Sequence, residues 1–237
     1  MKLITTSWDD GHPLDFKLAA MLDKYQLAAT FYIPKKNEEH EVMNEKDMQQ
    51  LSKKFEIGAH TLNHLRLNTK DKNEISKEVY GSFLWLEDLL GYKPVSFCFP
   101  GGKYNALSIE EVFKSGFTIA RTTELLCTKI NESSQLMATT VQVYEHGLFT
   151  YMKHLLKRKR FASLIQMLVT NSAYSTLKLT ENYIRCLKDD NIFHLWGHSW
   201  EIEQYNLWKK LEAVFELIAY NTDCLYVQNK QVVKMIK

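Results

Sequence analysis

Short apolar runs alternate with amphipathic stretches along this chain, and no other feature limits its possible folds as strongly. Residues 2–7 combine Leu3 and Ile4 with β-favouring threonines and predict a buried strand. Residues 14–25 set Phe16, Leu18, Ala19 and Leu22 at helical spacing. The alternation continues with a strand at 28–33 stopped by Pro34, a helix at 45–54 and a strand at 56–59. A helix at 73–90 closed by Gly91, a strand at 95–99 stopped by Pro100, a helix at 107–115 and a strand at 117–121 follow. The rhythm returns with a strand at 192–196, a helix at 206–220 and a strand at 224–228. Such a pattern predicts an α/β fold with a mainly parallel sheet and right-handed crossovers. With about six to eight strands in one unit, the sheet should close, or nearly close, into a barrel.

Residues 122–180 break the rhythm and read as an insertion over one end of the barrel, with a helix predicted at 152–169. The run Lys157-Arg158-Lys159-Arg160 within it reads as a solvated helix face, with a polyanionic glycan or nucleotide-sugar contact as the alternative. A chain of 237 residues suits a single barrel, so residues 1–237 are read as one domain.

A net charge of +2 gives no argument for a nucleic-acid partner or a membrane surface. No stretch approaches the ~20 apolar residues of a membrane span, and the start of the chain lacks a signal-peptide core. Cys98, Cys127, Cys186 and Cys224 are widely spaced with no CxxC pair, which reads as reduced thiols. These features set the expectation of a cytoplasmic protein. The sequence does not indicate an oligomeric state.

Three signals carry chemistry. Trp8-Asp9-Asp10-Gly11 ends the first strand, where parallel barrels build their sites. Adjacent carboxylates repel unless a cation compensates them, although Asp-Asp-Gly is equally good turn chemistry. His60-Thr61-Leu62-Asn63-His64 spaces two imidazoles four apart, as on one helical face, where both can reach one ion. Thr61 stands where the His-Glu-x-x-His protease motif has its glutamate. His198 lies just past a strand, after Gly197, and suits a general acid or a structural histidine. Together they offer three ligands for a catalytic metal, Asp10, His60 and His64, with a carboxylate and a histidine to spare.

Thr6-Ser7-Trp8-Asp9-Asp10-Gly11, Phe31-Tyr32-Ile33-Pro34, His60-Thr61-Leu62-Asn63-His64, Phe99-Pro100-Gly101-Gly102 and Leu195-Trp196-Gly197-His198 occur in this order. In that order they resemble the motifs of the polysaccharide deacetylase family, the NodB-homology or carbohydrate esterase family 4 enzymes. The resemblance covers residues 2–121 and resumes from 192. It implies a distorted (β/α) barrel of about seven strands and removal of acetyl groups from amino sugars. It also implies Asp9 as general base, Asp10, His60 and His64 as metal ligands, and His198 as general acid. Pro100, Gly101 and Gly102 fall at the substrate groove, with the Gly101 N–H as candidate oxyanion donor. The cofactor implied is one divalent ion, Zn²⁺ first, with Co²⁺, Ni²⁺ or Fe²⁺ open.

One departure stands out. The family often has an arginine, orienting the base, where this chain has Cys98; Arg121 is the candidate to replace it. Tyr104, Trp196 and Trp200 are candidate groove residues, with rim or core packing the competing role for the tryptophans. Asn105 either lines the groove or caps the next helix, His146 reads as a surface histidine with a place facing the substrate as the alternative, and His194 reads as structural. Glu201 and Glu203 receive no role. The substrate expected is an acylated sugar or small-molecule amide. A ring-opening amidase on a cyclic amide, and a non-catalytic carbohydrate-binding or regulatory protein, are the alternatives.

Overall fold

A computed structural model describes residues 1–129, 135–157 and 175–235. Nine parallel pairing strands form one curled sheet. They are β1 (Lys2–Asp9), β2 (Ala29–Ile33), β3 (Glu56–Ala59), β4 (Ser96–Cys98), β5 (Ile119–Arg121), β6 (Leu136–Met137), β7 (Val141–Gln142), β8 (Ile192–Gly197) and β9 (Cys224–Tyr226). The order is β6-β5-β4-β3-β2-β1-β8-β7, with β9 joined to the start of β1. The result is the expected distorted (β/α) barrel, a parallel sheet curled into a half-barrel and wrapped by helices.

The strand count exceeds the expected seven because the segment read as an insertion supplies β6 and β7. Runs of two residues carry no alternation, so these strands are invisible to periodicity. The helix expected at 152–169 appears as Leu148–Lys157 in its described part, and the rest, with Arg158-Lys159-Arg160, lies outside the described residues. No described helix is long and apolar enough to cross a membrane.

Strand β1 is the axis. Leu3 to Asp9 are all buried, as a central strand covered on both faces requires. Trp8 is fully enclosed and meets Phe215 edge-on at 6.0 Å between centroids. Phe215 belongs to the helix Trp208–Ile218, which buries Leu211, Val214, Phe215 and Ile218 at helical spacing. The helix Lys72–Leu90 is capped by Asp71, which accepts from the Glu74 N–H at 2.9 Å, and ends at Gly91 with φ 74°. Asn105 takes the capping role: its side chain and that of Ser108 form a capping box on the helix Ala106–Lys114.

Register positions the chemistry. Trp8 pairs with Gly197 and Asp9 with Tyr32, while Cys98 pairs with Arg121. Because the strands are parallel, their C-terminal ends share one edge. Asp9, Asp10, His60, the Pro100 loop, Arg121 and His198 all leave the sheet there.

Candidate active site

The chain reverses sharply after β1. Asp10 and Gly11 both take left-handed conformations, with φ 79° and 64°. A Cβ on Gly11 would stand 2.5 Å from Ile33 Cγ2, so no larger residue fits. Left-handed backbone at Asp10 costs on the order of 1 kcal/mol and turns its buried carboxylate toward the third strand.

His60 and His64 meet Asp10 there, but not from a helix. Thr61 and His64 have φ 64° and 54°, so a tight loop, rather than one helical face, brings the two rings to 5.1 Å between centroids. The helical spacing expected from the sequence is thus corrected. Glu78 clamps this loop by accepting from the Asn63 backbone N–H at 2.9 Å and side-chain amide at 2.6 Å. His60 Nδ1 donates to the Cys98 carbonyl at 2.9 Å, which leaves its Nε2 lone pair facing Asp10 Oδ1 at 3.6 Å. His64 Nε2 lies 3.1 Å from the same oxygen.

This donor set fits a divalent cation. The ligand atoms of Asp10, His60 and His64 all lie within 4.8 Å of one another. Asp10 Oδ1 is buried with no hydrogen bond of acceptable geometry, the state of an oxygen that shares a point with two nitrogens. Burial pushes His60 down to about 4, so its imidazole is neutral and ready to ligate. Burial alone would raise the Asp10 carboxyl; His64, His198 and His60 outweigh it and hold the group below the usual carboxylate range.

Asp9 sits beside this triad. The fully buried Arg121 donates from Nη2 to Asp9 Oδ1 at 2.5 Å, and the Cys98 thiol lies 3.8 Å from Oδ2. The two side chains arrive from paired positions on adjacent strands, which is how Arg121 reaches the carboxylate that Cys98 cannot charge-compensate. The Trp196 ring lies 4.5 Å over the guanidinium, and Tyr32 packs at 5.4 Å.

His198 follows β8 and places Nε2 at 4.0 Å from both Asp9 Oδ2 and Asp10 Oδ2. Its Nδ1 donates to Glu201 Oε2 at 3.2 Å. Burial would lower the imidazole, but the Glu201 bond and the negative charges of Asp10 and Asp9 prevail and raise it to about 9. Glu201 is a site residue that sequence reasoning missed. The signal was its place three residues after His198, on the first turn of the helix Ser199–Gln204.

Asp9, Asp10, His60, His64 and His198 line a cavity of about 400 Å³ together with Gly101, Gln142, His146 and Trp200. Pro100 is buried in the loop, and Gly101 and Gly102 have φ 58° and 64°. A Cβ on Gly102 would collide with Thr123 Oγ1 at 1.9 Å. The Gly102 N–H is bound to the Phe99 carbonyl, which leaves Gly101 as the loop's candidate oxyanion donor. Tyr104 packs on Phe99 at 4.7 Å and lines the adjoining groove. Trp196 and Trp200 line the cavity, but ring faces of both are already covered. Trp196 lies over Arg121, while Trp200 stacks on His40 at 3.8 Å and donates to Asp10 Oδ2 at 2.8 Å. His146, expected on the surface, is a half-buried wall residue bonded to Gln142, because residues 141–142 join the sheet and draw it inward. His194 is structural, bonded to Ser7 at 2.8 Å and to the Ala138 carbonyl at 3.2 Å.

A curled parallel sheet with two carboxylates, three histidines and a buried arginine gathered at its C-terminal edge is a (β/α) barrel with its polar cavity where parallel barrels build their sites. The sequence profile of the polysaccharide deacetylase family matches residues 1–120, and the chain belongs to that family. Solved structures agree at the level of fold. A polysaccharide deacetylase from Mycobacterium smegmatis superposes with TM-score 0.68 at 12% identity, covering 99% of this chain and 90% of that one. A family 4 acetyl xylan esterase from Clostridium thermocellum, solved with a cobalt ion, gives 0.62 at 13% identity over 98% and 91%. The Streptococcus pyogenes deacetylase PplD, solved with acetate, gives 0.51 at 19% identity. There 56% of this chain is covered, and the chain spans 62% of that protein's length. No curated protein matches the sequence closely enough to count as a relative.

Proposed function

We propose that this protein is a metal-dependent hydrolase that removes an acetyl or related acyl group from an amino sugar or glycan conjugate. One observation carries the reading: Asp10, His60 and His64 converge on a shared point, with the Arg121-bound Asp9 and the Glu201-bound His198 beside it. Asp10, His60 and His64 would hold the cation. Two imidazoles and a carboxylate suit Zn²⁺ first, and Co²⁺, Ni²⁺ or Fe²⁺ next; the cobalt in the Clostridium thermocellum relative supports a first-row ion. When bound, such an ion supplies Lewis acidity and lowers the pKa of water.

The chain's own groups do the rest. Arg121 holds and orients Asp9, so that Asp9 accepts a proton from the attacking water. The Gly101 N–H, on the cavity wall, is the proposed donor to the developing oxyanion, a contribution of roughly 3–4 kcal/mol for one such donor. Trp200 fixes Asp10 through Oδ2 and leaves Oδ1 for the cation. His198 delivers a proton from Nε2 to the leaving nitrogen. The four free cysteines support a reducing compartment, the cytoplasm.

The test combines metal content with turnover. Stripped protein reloaded with Zn²⁺ or Co²⁺ is expected to hydrolyse an N-acetyl amino sugar. Asp9→Asn should retain the metal and lose about 10²–10⁴-fold in turnover. Unchanged turnover in Asp9→Asn would remove that carboxylate from the chemistry.

A further inference from the structure

Beyond His198 a chain of hydrogen bonds leads away from the triad. Glu201 Oε2 accepts from His198 Nδ1 at 3.2 Å and, at the same oxygen, from Gln142 Nε2 at 3.2 Å. Gln142 Oε1 in turn accepts from His146 Nε2 at 2.6 Å. The polarity of this chain follows from the Gln142 amide. Gln142 turns its NH₂ to Glu201, so its amide oxygen faces His146 and must find a donor there. His146 is that donor only while Nε2 carries a proton.

The surroundings hold each member still. Gln142 is 5% exposed and sits on β7, paired with Trp196 two residues before His198. The His146 backbone N–H bonds to the Tyr151 hydroxyl at 3.4 Å, and its ring stands edge-on to Tyr144 and Tyr151 at 5.6 and 5.9 Å. None of the three proposed metal ligands takes part.

We propose that Gln142 and His146 are positioning residues for proton delivery. They hold the Glu201 carboxylate against His198 Nδ1, which fixes the orientation of the ring with Nε2 facing the cavity. The inference rests on the reading of His198 as general acid. In that step the Nε2 proton passes to the amide nitrogen as the C–N bond breaks, and the bonding pair stays on nitrogen to give a free amine and the carboxylic acid. Loss of the relay leaves water attack in place but slows departure of a poor leaving group.

Leaving-group dependence separates this role from a merely structural one. An N-acetyl amino sugar expels an amine that needs a proton; 4-nitrophenyl acetate expels a stable phenolate that does not. The quantity to measure is the ratio of kcat/KM for the amide to that for the ester, in metal-loaded enzyme. Any unfolded fraction cancels from that ratio. Gln142→Leu and His146→Phe are each expected to lower it about tenfold, through kcat rather than KM, a part of the 10²–10⁴-fold available to general acid catalysis. His146→Gln, which retains an N–H donor, should restore most of it. His198→Ala sets the full scale. If His198→Ala lowers the ratio while Gln142→Leu and His146→Phe do not, the positioning role is overturned and the acid assignment stands. If His198→Ala leaves the ratio unchanged, the acid assignment fails and the positioning role fails with it.

Discussion

The two halves of the chain build the site by different means. Residues 1–120, the stretch matched by the family profile, supply Asp9, Asp10, His60 and His64. Each is set by a nearby feature: the Gly11 turn against Ile33, the end of β3, and the Glu78 clamp on the loop before His64. The second half supplies Arg121, Gln142, His146, His198 and Glu201, and its groups reach the first half over long separations. Arg121 and Asp9 are 112 residues apart, and Trp200 and Asp10 are 190. The proposed cation ligands are therefore set by local motifs, while the partners of Asp9 and His198 depend on how distant strands line up.

The largest effect should come from the local half. His64→Ala removes a ligand and is expected to abolish tight metal binding and lower turnover on the order of a thousandfold, several kcal/mol of transition-state stabilisation. Metal titration by calorimetry checks this; wild-type affinity in the variant would put the cation elsewhere. Arg121→Met probes the long-range half. It strands a buried carboxylate at Asp9 and should cost about 3–5 kcal/mol in urea unfolding, while the metal still binds. Adding Asp9→Asn should recover part of that loss. Metal release in Arg121→Met would erase the distinction between the halves.

A smaller, pH-dependent effect sharpens the comparison further. Burial first, and the Arg121 charge second, push His194 from 6.5 down to about 3. The unfolded chain therefore takes up a proton that the folded chain refuses. This contribution to stability is complete above pH 6.5 and is lost as pH falls toward 3, by up to about 1.4 kcal/mol per unit. His194→Asn should flatten the acid limb of stability against pH by that amount. An unaltered slope would show that His194 is not what opposes acid in this half.

The same division explains what the sequence revealed. Asp10, His60 and His64 were legible because two motifs at strand ends carry them, although the four-residue spacing suggested a helix and two left-handed residues replaced it. The strand 28–33 announced itself through a β-branched and aromatic run. By contrast β6 and β7 are two residues each, too short for any periodicity, so the wall carrying Gln142 and His146 was unreadable. Glu201 had a signal in its spacing from His198 but no partner to suggest a role, since Gln142 enters only through tertiary pairing. Arg121 was suspected only because Cys98 stood where a cation was wanted.

The pairing of Cys98 with Arg121 has a geometric consequence for where charge can be supplied. Side chains at matched heights on neighbouring parallel strands project the same way, so both touch one carboxylate from adjacent lanes. A guanidinium carried on either of these two lanes would thus deliver its charge to the same carboxylate.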